Sequence, residues 1–426
     1  MIRSGNLGIK ILRTMKLSAY RSVKKTVNHV IVVYDFAYVN GGQARVAIES
    51  AVGLALEGLQ VTYFAACGPV DERLMAAGVE VVCLGQKDIL GEPNRIKAIV
   101  DGIWNFKAAR ELRRLLISKP AAGTIVHCHG LSKALSASIG PVLTETGCRH
   151  VFTCHEYFLA CPNGGFYDFG SDSHCERKPM GVDCLISNCD SRSAAHKAWR
   201  VLRQGVQISL GHLPAKLRNI IYISETQRDI LGPYFPGNAR LEFLPNPVEV
   251  DVAGERICAE ENDIFLFVGR ISPEKGAVSL ARAAKLAGVK AVFLGDGPDM
   301  AAVKTENPAA EMLGWVASAD VKAWMQKSRC LVLPSIWAEP FGLVAYDALA
   351  RGLPVIAGRW TATAEAIRHG HTGLIFDRRD DLQRQLELMT PACAELCSRN
   401  SFAERANLGL SLEAHTRRLV EIYESI

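Results

Sequence analysis

An α/β fold of two parallel-sheet domains facing each other across a cleft is predicted by three observations. Short, continuous Val/Ile runs alternate with amphipathic stretches of helical period, the mark of strands buried on both faces of a parallel sheet. The length, 426 residues, suits two large domains of this type. The rhythm runs twice, on either side of Leu244-Pro245-Asn246-Pro247, where two prolines flank Asn246 as in a stiff linker.

In the first half, His29–Tyr34 (HVIVVY) reads as a buried strand, followed by a turn at Asn40-Gly41-Gly42 and a helix from Gln43 to about Glu57. Further strands are expected at Val61–Ala65, Glu80–Leu84, Thr124–Cys128 and His150–Cys154, separated by helices at Asp71–Ala77, Arg95–Ile117 and Ser132–Thr144. The second half repeats the pattern with strands at Ile264–Val268, Ala291–Leu294, Cys330–Leu333 and Pro354–Ala357, and helices at Ala277–Leu286, Asp320–Gln326 and Leu343–Ala350. The expected division is a basic segment 1–28, a Rossmann-like domain 29–245 and a second one 246–410. A terminal helix, 411–426, is placed to cross back to the first domain. In such sheets ligands sit at the carboxyl ends of the strands, so the loops there are where chemistry belongs.

Composition narrows the class. At 49% hydrophobic and 22% charged residues the chain is an ordinary folded protein, which excludes disorder and low complexity. No run of about 18 apolar residues is present to span a bilayer. Thirteen Cys, an odd number with no leader pattern before them, argue for reduced thiols in a cytoplasm. A net charge of +5 is too mild to imply nucleic acid. That charge is concentrated: Met1 to Tyr34 holds no Asp or Glu but has Arg3, Lys10, Arg13, Lys16, Arg21, Lys24 and Lys25. Leu7, Ile9, Ile11, Leu12, Met15 and Leu17 lie among them, so the segment reads as a membrane-surface contact, a solvated terminus or a transit-type peptide.

Five loops after predicted strands carry candidate chemistry. Gly41-Gly42 opens a helix and serves either as an anion cradle or as a plain turn. In Gly269-Arg270-Ile271-Ser272-Pro273-Glu274-Lys275, two cations five positions apart suit a diphosphate, or are solvated charges at a helix start. Gly295-Asp296-Gly297 is a turn or a close backbone approach to a ligand, and Gly314-Trp315, one strand further along, could flank a planar base or belong to the core. The most specific stretch runs from Glu339 through Pro340-Phe341-Gly342-Leu343-Val344 to Asp347. It sets one acid in a loop and another two turns into a helix, so that two separated sugar rings could each find a carboxylate.

Together, Gly41-Gly42, Arg270 with Lys275, Gly295-Asp296-Gly297 and the Glu339–Asp347 stretch resemble the retaining glycosyltransferases of family 4, over nearly all of 29–377. The resemblance implies the GT-B architecture and a UDP- or GDP-linked sugar donor, with no metal or other cofactor required. It implies that Glu339 holds donor-sugar hydroxyls, Asp347 the ribose hydroxyls, and Arg270 and Lys275 the diphosphate. Gly41, Gly42 and the amides of Gly342, Leu343 and Val344 would lie against that diphosphate. His155 matches the His by which the family reaches the donor sugar from the first domain. The implied reaction is front-side substitution with retention onto a glycan or lipid-linked glycan, as in bacterial exopolysaccharide or lipopolysaccharide synthesis, by a cytoplasmic enzyme at the inner membrane face.

One residue departs from the family, which has Glu where this chain has Asp347. The shorter side chain lengthens, water-bridges or forfeits the ribose contact. The insert 154–189 interrupts the βα rhythm and resembles Cys-bearing loops of some bacterial family-4 enzymes; its Cys161, Cys175, Cys184 and Cys189 either hold a structural zinc or remain free thiols, and its position suggests a wall of the acceptor site. No Asp-x-Asp metal motif occurs in the chain. Two other functions stay open: a sugar-nucleotide epimerase of the same fold, and a lapsed donor-binding partner in an assembly complex.

Overall fold

The computed structural model describes residues 27–249, 254–409 and 411–426, so most of the basic segment, and the membrane and transit readings with it, lie outside the described residues. Strands β1 (His29–Phe36), β2 (Gln60–Cys67), β3 (Glu80–Gln86), β4 (Thr124–Cys128) and β5 (Arg149–Thr153) fall where the Val/Ile runs predict. A short hairpin, β6 (Tyr167–Asp168) with β7 (Ser173–His174), interrupts them before β8 (Asn219–Tyr222) and β9 (Arg240–Phe243). The second half carries β10 (Ile264–Val268), β11 (Lys290–Leu294), β12 (Glu311–Met312), β13 (Ser328–Leu333), β14 (Val355–Gly358) and β15 (Gly373–Phe376).

The first sheet has seven parallel strands in the order β3-β2-β1-β4-β5-β8-β9, and the second has six in the order β12-β11-β10-β13-β14-β15. In each, the first strand of the half lies inside the sheet and the order reverses beside it, creating the crevice where doubly wound sheets bind ligands. The all-apolar runs explain the placement: Val30, Ile31, Val32 and Val33 of β1 are wholly buried, as are Phe265 and Leu266 of β10.

Two expected helices differ. Arg95–Ile117 is two helices, Arg95–Ile103 and Phe106–Ile117, because Asn105 turns out of the first and caps the second, its Oδ1 accepting from Ala108 N at 3.0 Å. The stretch Ser132–Thr144 is helical only from Ala137 onward. The N–H groups of Lys133, Ala134 and Leu135 instead donate to the buried Asp35 carboxylate at 2.7–2.9 Å.

The chain crosses between the halves twice. After β9 it leaves through 244–249, and the helix Leu412–Glu424 returns to pack on the helix Gly42–Leu56. Tyr423 ends up buried in the first core, its OH 2.6 Å from His127 Nδ1. Among the described residues no helix is long and apolar enough to cross a membrane.

Candidate active site

The loops after the strands of the two sheets meet in the cleft. From the second half, Lys275 Nζ contacts Glu339 Oε1 at 2.5 Å, and Ser335 Oγ donates to Glu339 Oε2 at 2.9 Å. Trp360 Nε1 holds the carbonyl of Ser335 at 2.9 Å, which fixes the loop that carries the carboxylate. Lys275 also lies over the Trp337 ring, 5.3 Å from its centroid. Two of the predicted residues, separated by 64 positions, thus form one ion pair that is mostly shielded from solvent. Arg270 is exposed at the end of β10, with no ion-pair partner among the described residues.

Gly295 and Gly297 are sites of close backbone packing. A Cβ at Gly295 would stand 1.9 Å from the carbonyl oxygen of Gly269, and one at Gly297 would stand 2.0 Å from that of Ile271. The two loops are zipped backbone to backbone by Gly269 N to Leu294 O at 3.0 Å and Ile271 N to Asp296 O at 2.9 Å. Asp296 in turn accepts from Trp315 N at 3.0 Å and Gly314 O accepts from Gly295 N at 2.7 Å, leaving the Trp315 ring 76% exposed beside the loop.

Gly342 opens the helix Leu343–Ala350 at φ +84, and a Cβ there would strike Thr363 Oγ1. The first-turn N–H groups of that helix, including those of Leu343 and Val344, have no partners within the helix and offer a positive end to the cleft. The helix Gly42–Leu56 points its own N-terminus at the same place, close enough that a Cβ on Gly42 would be 2.9 Å from Leu343 Cδ1. Phe341 is not a cleft side chain. Its ring is buried and stacked on Tyr346, centroids 4.3 Å apart, in a seam with Ile223 and Val248.

His155 lies across the cleft on the first half, with Nε2 3.0 Å from His129 Nδ1 and the two rings stacked at 5.3 Å. Burial pushes the His155 imidazole down to about 3, with the neighbouring His415 adding to the shift, so the ring is neutral at ordinary pH. His129 is fully buried and its Nε2 has no hydrogen-bond partner among the described residues. Both histidines line a small recess, together with Gln43, Ser132, Glu156 and Gln207. His129 escaped the sequence reading, although His127-Cys128-His129 at the end of β4 repeats beside β5 the pattern that singled out His155.

Asp347, on the second turn of its helix, faces the first half, and Arg45 Nη1 reaches its Oδ2 at 3.4 Å. Burial raises its carboxyl above the usual range, while Arg45 opposes that. The two halves are further joined by Tyr157 OH donating to Ala338 O at 2.7 Å and Ser224 Oγ donating to Pro340 O at 2.7 Å. Both bonds end in the loop that carries Glu339.

Residues 40–252 match the family model of glycosyltransferase family 4, and residues 255–406 match that of glycosyl transferases group 1. The chain belongs to glycosyltransferase family 4. An uncharacterized 42.6 kDa protein in the cps region of Klebsiella pneumoniae is 27% identical over 271 residues, which span 62% of this chain and 65% of that protein. A D-inositol 3-phosphate glycosyltransferase of Mycobacterium avium is 30% identical over 370 residues, 80% of this chain and 78% of that one. Among solved structures, Anabaena HepE in complex with UDP and glucose superposes with a TM-score of 0.63 at 14% identity, covering 94% of this chain and 100% of that one. The last is a likeness of fold, and the fold of this chain is GT-B.

The insert leans across the cleft. Gly165 lies against Trp337, His174 against Trp360, and Asp172 pairs with Arg379 at 2.8 Å. All thirteen cysteines are free thiols. Of the two readings left open for Cys161, Cys175, Cys184 and Cys189, the structure carries the thiol one: among the described residues no group of three or more His, Cys, Asp or Glu is placed to hold a metal. Protein cations take the thiols instead. Lys197 Nζ is 3.2 Å from Cys189 Sγ and 3.6 Å from Cys184 Sγ, and Arg177 Nη1 is 3.6 Å from Cys175 Sγ.

Proposed function

We propose that this glycosyltransferase moves a sugar, with retention of configuration and without a metal, from a UDP- or GDP-linked donor to a hydroxyl of a glycan or lipid-linked glycan in bacterial surface-polysaccharide assembly. The observation that carries the reading is the meeting of two helix N-termini, at Gly42 and Leu343, beside the Lys275–Glu339 pair. A diphosphate between them faces two positive helix ends, Lys275 and the exposed Arg270. The homologue in a cps region supports the surface-polysaccharide setting, and the UDP in the HepE complex supports a nucleotide donor.

Chemistry follows from charge. As the bond from sugar to diphosphate breaks, negative charge gathers on the leaving group and positive charge on the sugar. Arg270, Lys275 and the helix ends stabilise the former without moving, the electrostatic preorganisation on which enzymes chiefly rely. Glu339, held by Lys275 and Ser335, accepts hydroxyls of the donor sugar, and neutral His155 offers a nitrogen from the opposite wall. The acceptor hydroxyl enters from the recess around His129 and Glu156 and gives its proton to the departing diphosphate. Asp347 accepts from the ribose, and Gly314-Trp315 lies by the base. Incubation of the full chain with a donor and a glycan acceptor, read by NMR at the anomeric carbon of the product, tests the reading. The donor's own anomeric configuration in the product is expected. Inversion would overturn the front-side mechanism.

A further inference from the structure

Arg45 sits one turn into the helix Gly42–Leu56, and each nitrogen of its guanidinium serves a different carboxylate. Nε contacts Glu49 at 2.8 Å, Nη1 contacts Asp347 at 3.4 Å and Nη2 contacts Glu249 at 3.8 Å. The three acids belong to three parts of the molecule: Arg45's own helix, the donor-side helix Leu343–Ala350, and the crossover that joins the halves. Lys322 holds Glu249 from the other side at 3.1 Å. About one turn nearer the N-terminus of each helix, the two helix tips touch at Gly42 and Leu343, so the Arg45–Asp347 contact bridges the halves where they meet.

We propose that Arg45 is a positioning residue of the donor site, which holds the short Asp347 carboxylate in place for the ribose diol from the opposite half. The proposal rests on the reading that Asp347 meets the ribose. Two vicinal hydroxyls are best accepted by an ionised carboxylate with both oxygens free to accept, and protonation removes that capacity. Burial works against ionisation of Asp347, as does Glu249, whereas Arg45 and Arg351 work for it and Glu49 shares the Arg45 guanidinium. A side chain one methylene shorter than Glu has little slack to find its ligand by itself. A planar fork reaching over from the opposite half supplies the missing orientation.

Isothermal titration of the full chain with UDP, GDP and their 2′-deoxy counterparts tests this. The wild type should bind one ribonucleotide about tenfold more tightly than its 2′-deoxy form, and Arg45→Gln should lose most of that preference while binding the 2′-deoxy form as the wild type does. Arg45→Lys should restore part of it. Asp347→Asn should lose the preference too, and adding Arg45→Gln to it should cost nothing more. In the wild type the preference should fade as pH drops, and in Arg45→Gln it should fade at a higher pH. A full ribose preference retained in Arg45→Gln would overturn the role of Arg45, as would a wild type that binds both forms equally. A wild type that binds neither nucleotide would instead overturn the donor reading beneath it.

Discussion

Lys275 and Glu339 face each other at 2.5 Å with Ser335 on the far oxygen of the same carboxylate, so one acid at the cleft is oriented from both sides. A carboxylate held this way keeps a fixed geometry before any substrate arrives. Glu339→Gln preserves shape and removes the charge, leaving Lys275 without its partner. Turnover should fall about 100-fold, as when a preorganised electrostatic contact is lost. Stability should fall by about 1–2 kcal/mol for the unpaired cation. Steady-state kinetics and urea denaturation of the same preparation check both numbers.

The glycines of the two helix tips predict a contrast. Gly41 has extended backbone, φ 163, and open space around an added Cβ, whereas Gly342 has φ +84 and Thr363 in the way. Gly342→Ala should therefore cost about 2 kcal/mol or more from strain and clash. Gly41→Ala should leave the melting temperature unchanged. If the diphosphate lies against Gly41, the same variant should weaken donor binding measurably, a separation of binding from stability that calorimetry reads directly.

The hydrogen bond from Tyr157 to Ala338 O crosses between the halves inside the protein, next to Glu339. Tyr157→Phe removes it and leaves a buried carbonyl unpaired, at a cost of about 1–2 kcal/mol. Because the bond also anchors the Glu339 loop, donor KM should rise in the variant while its far-ultraviolet spectrum stays that of the wild type.

Acid should destabilise the fold through its buried histidines. Burial holds His127 and His155 at about 3 and His415 at about 4, and keeps His129 well below its ordinary value. Unfolding exposes them to the usual value near 6.5. Between that pH and the folded values the unfolded chain binds more protons, so stability falls as pH falls, by about 1.4 kcal/mol per unit for each histidine fully engaged. Urea midpoints should be level above about pH 7 and drop steeply toward pH 5. His415→Gln should make that drop shallower.

The strands that form the sheet centres were readable because their apolar runs are long and unbroken: β1, with Val30 to Val33, has no other sensible state. Strands β8, β9 and β15 were not, since four residues are too few to show a period, and Arg240–Phe243 is mostly exposed as well. Arg95–Ile117 kept helical period straight through Asn105, and only the contact of that side chain with Ala134 O, a tertiary one, shows why the helix stops there. At the site, local motifs marked Lys275, Glu339 and His155. The pairing of Arg45 with Asp347 joins residues 302 positions apart in different halves, and no local pattern encodes such a contact. The partner of the insert's thiols was hidden for the same reason: Lys197, which contacts two of them, comes from a helix outside the insert.

The measurement that bears most directly on the donor cleft is the thermal stability of the full chain against UDP-, GDP-, ADP- and CMP-linked sugars, with a chelator present. A donor at about 100 times its Kd adds near 2.7 kcal/mol. A shift with one base, unaffected by the chelator and lost in Glu339→Ala and Arg270→Ala, is the predicted result. No shift with any nucleotide sugar, from a protein that melts cooperatively, would contradict the account.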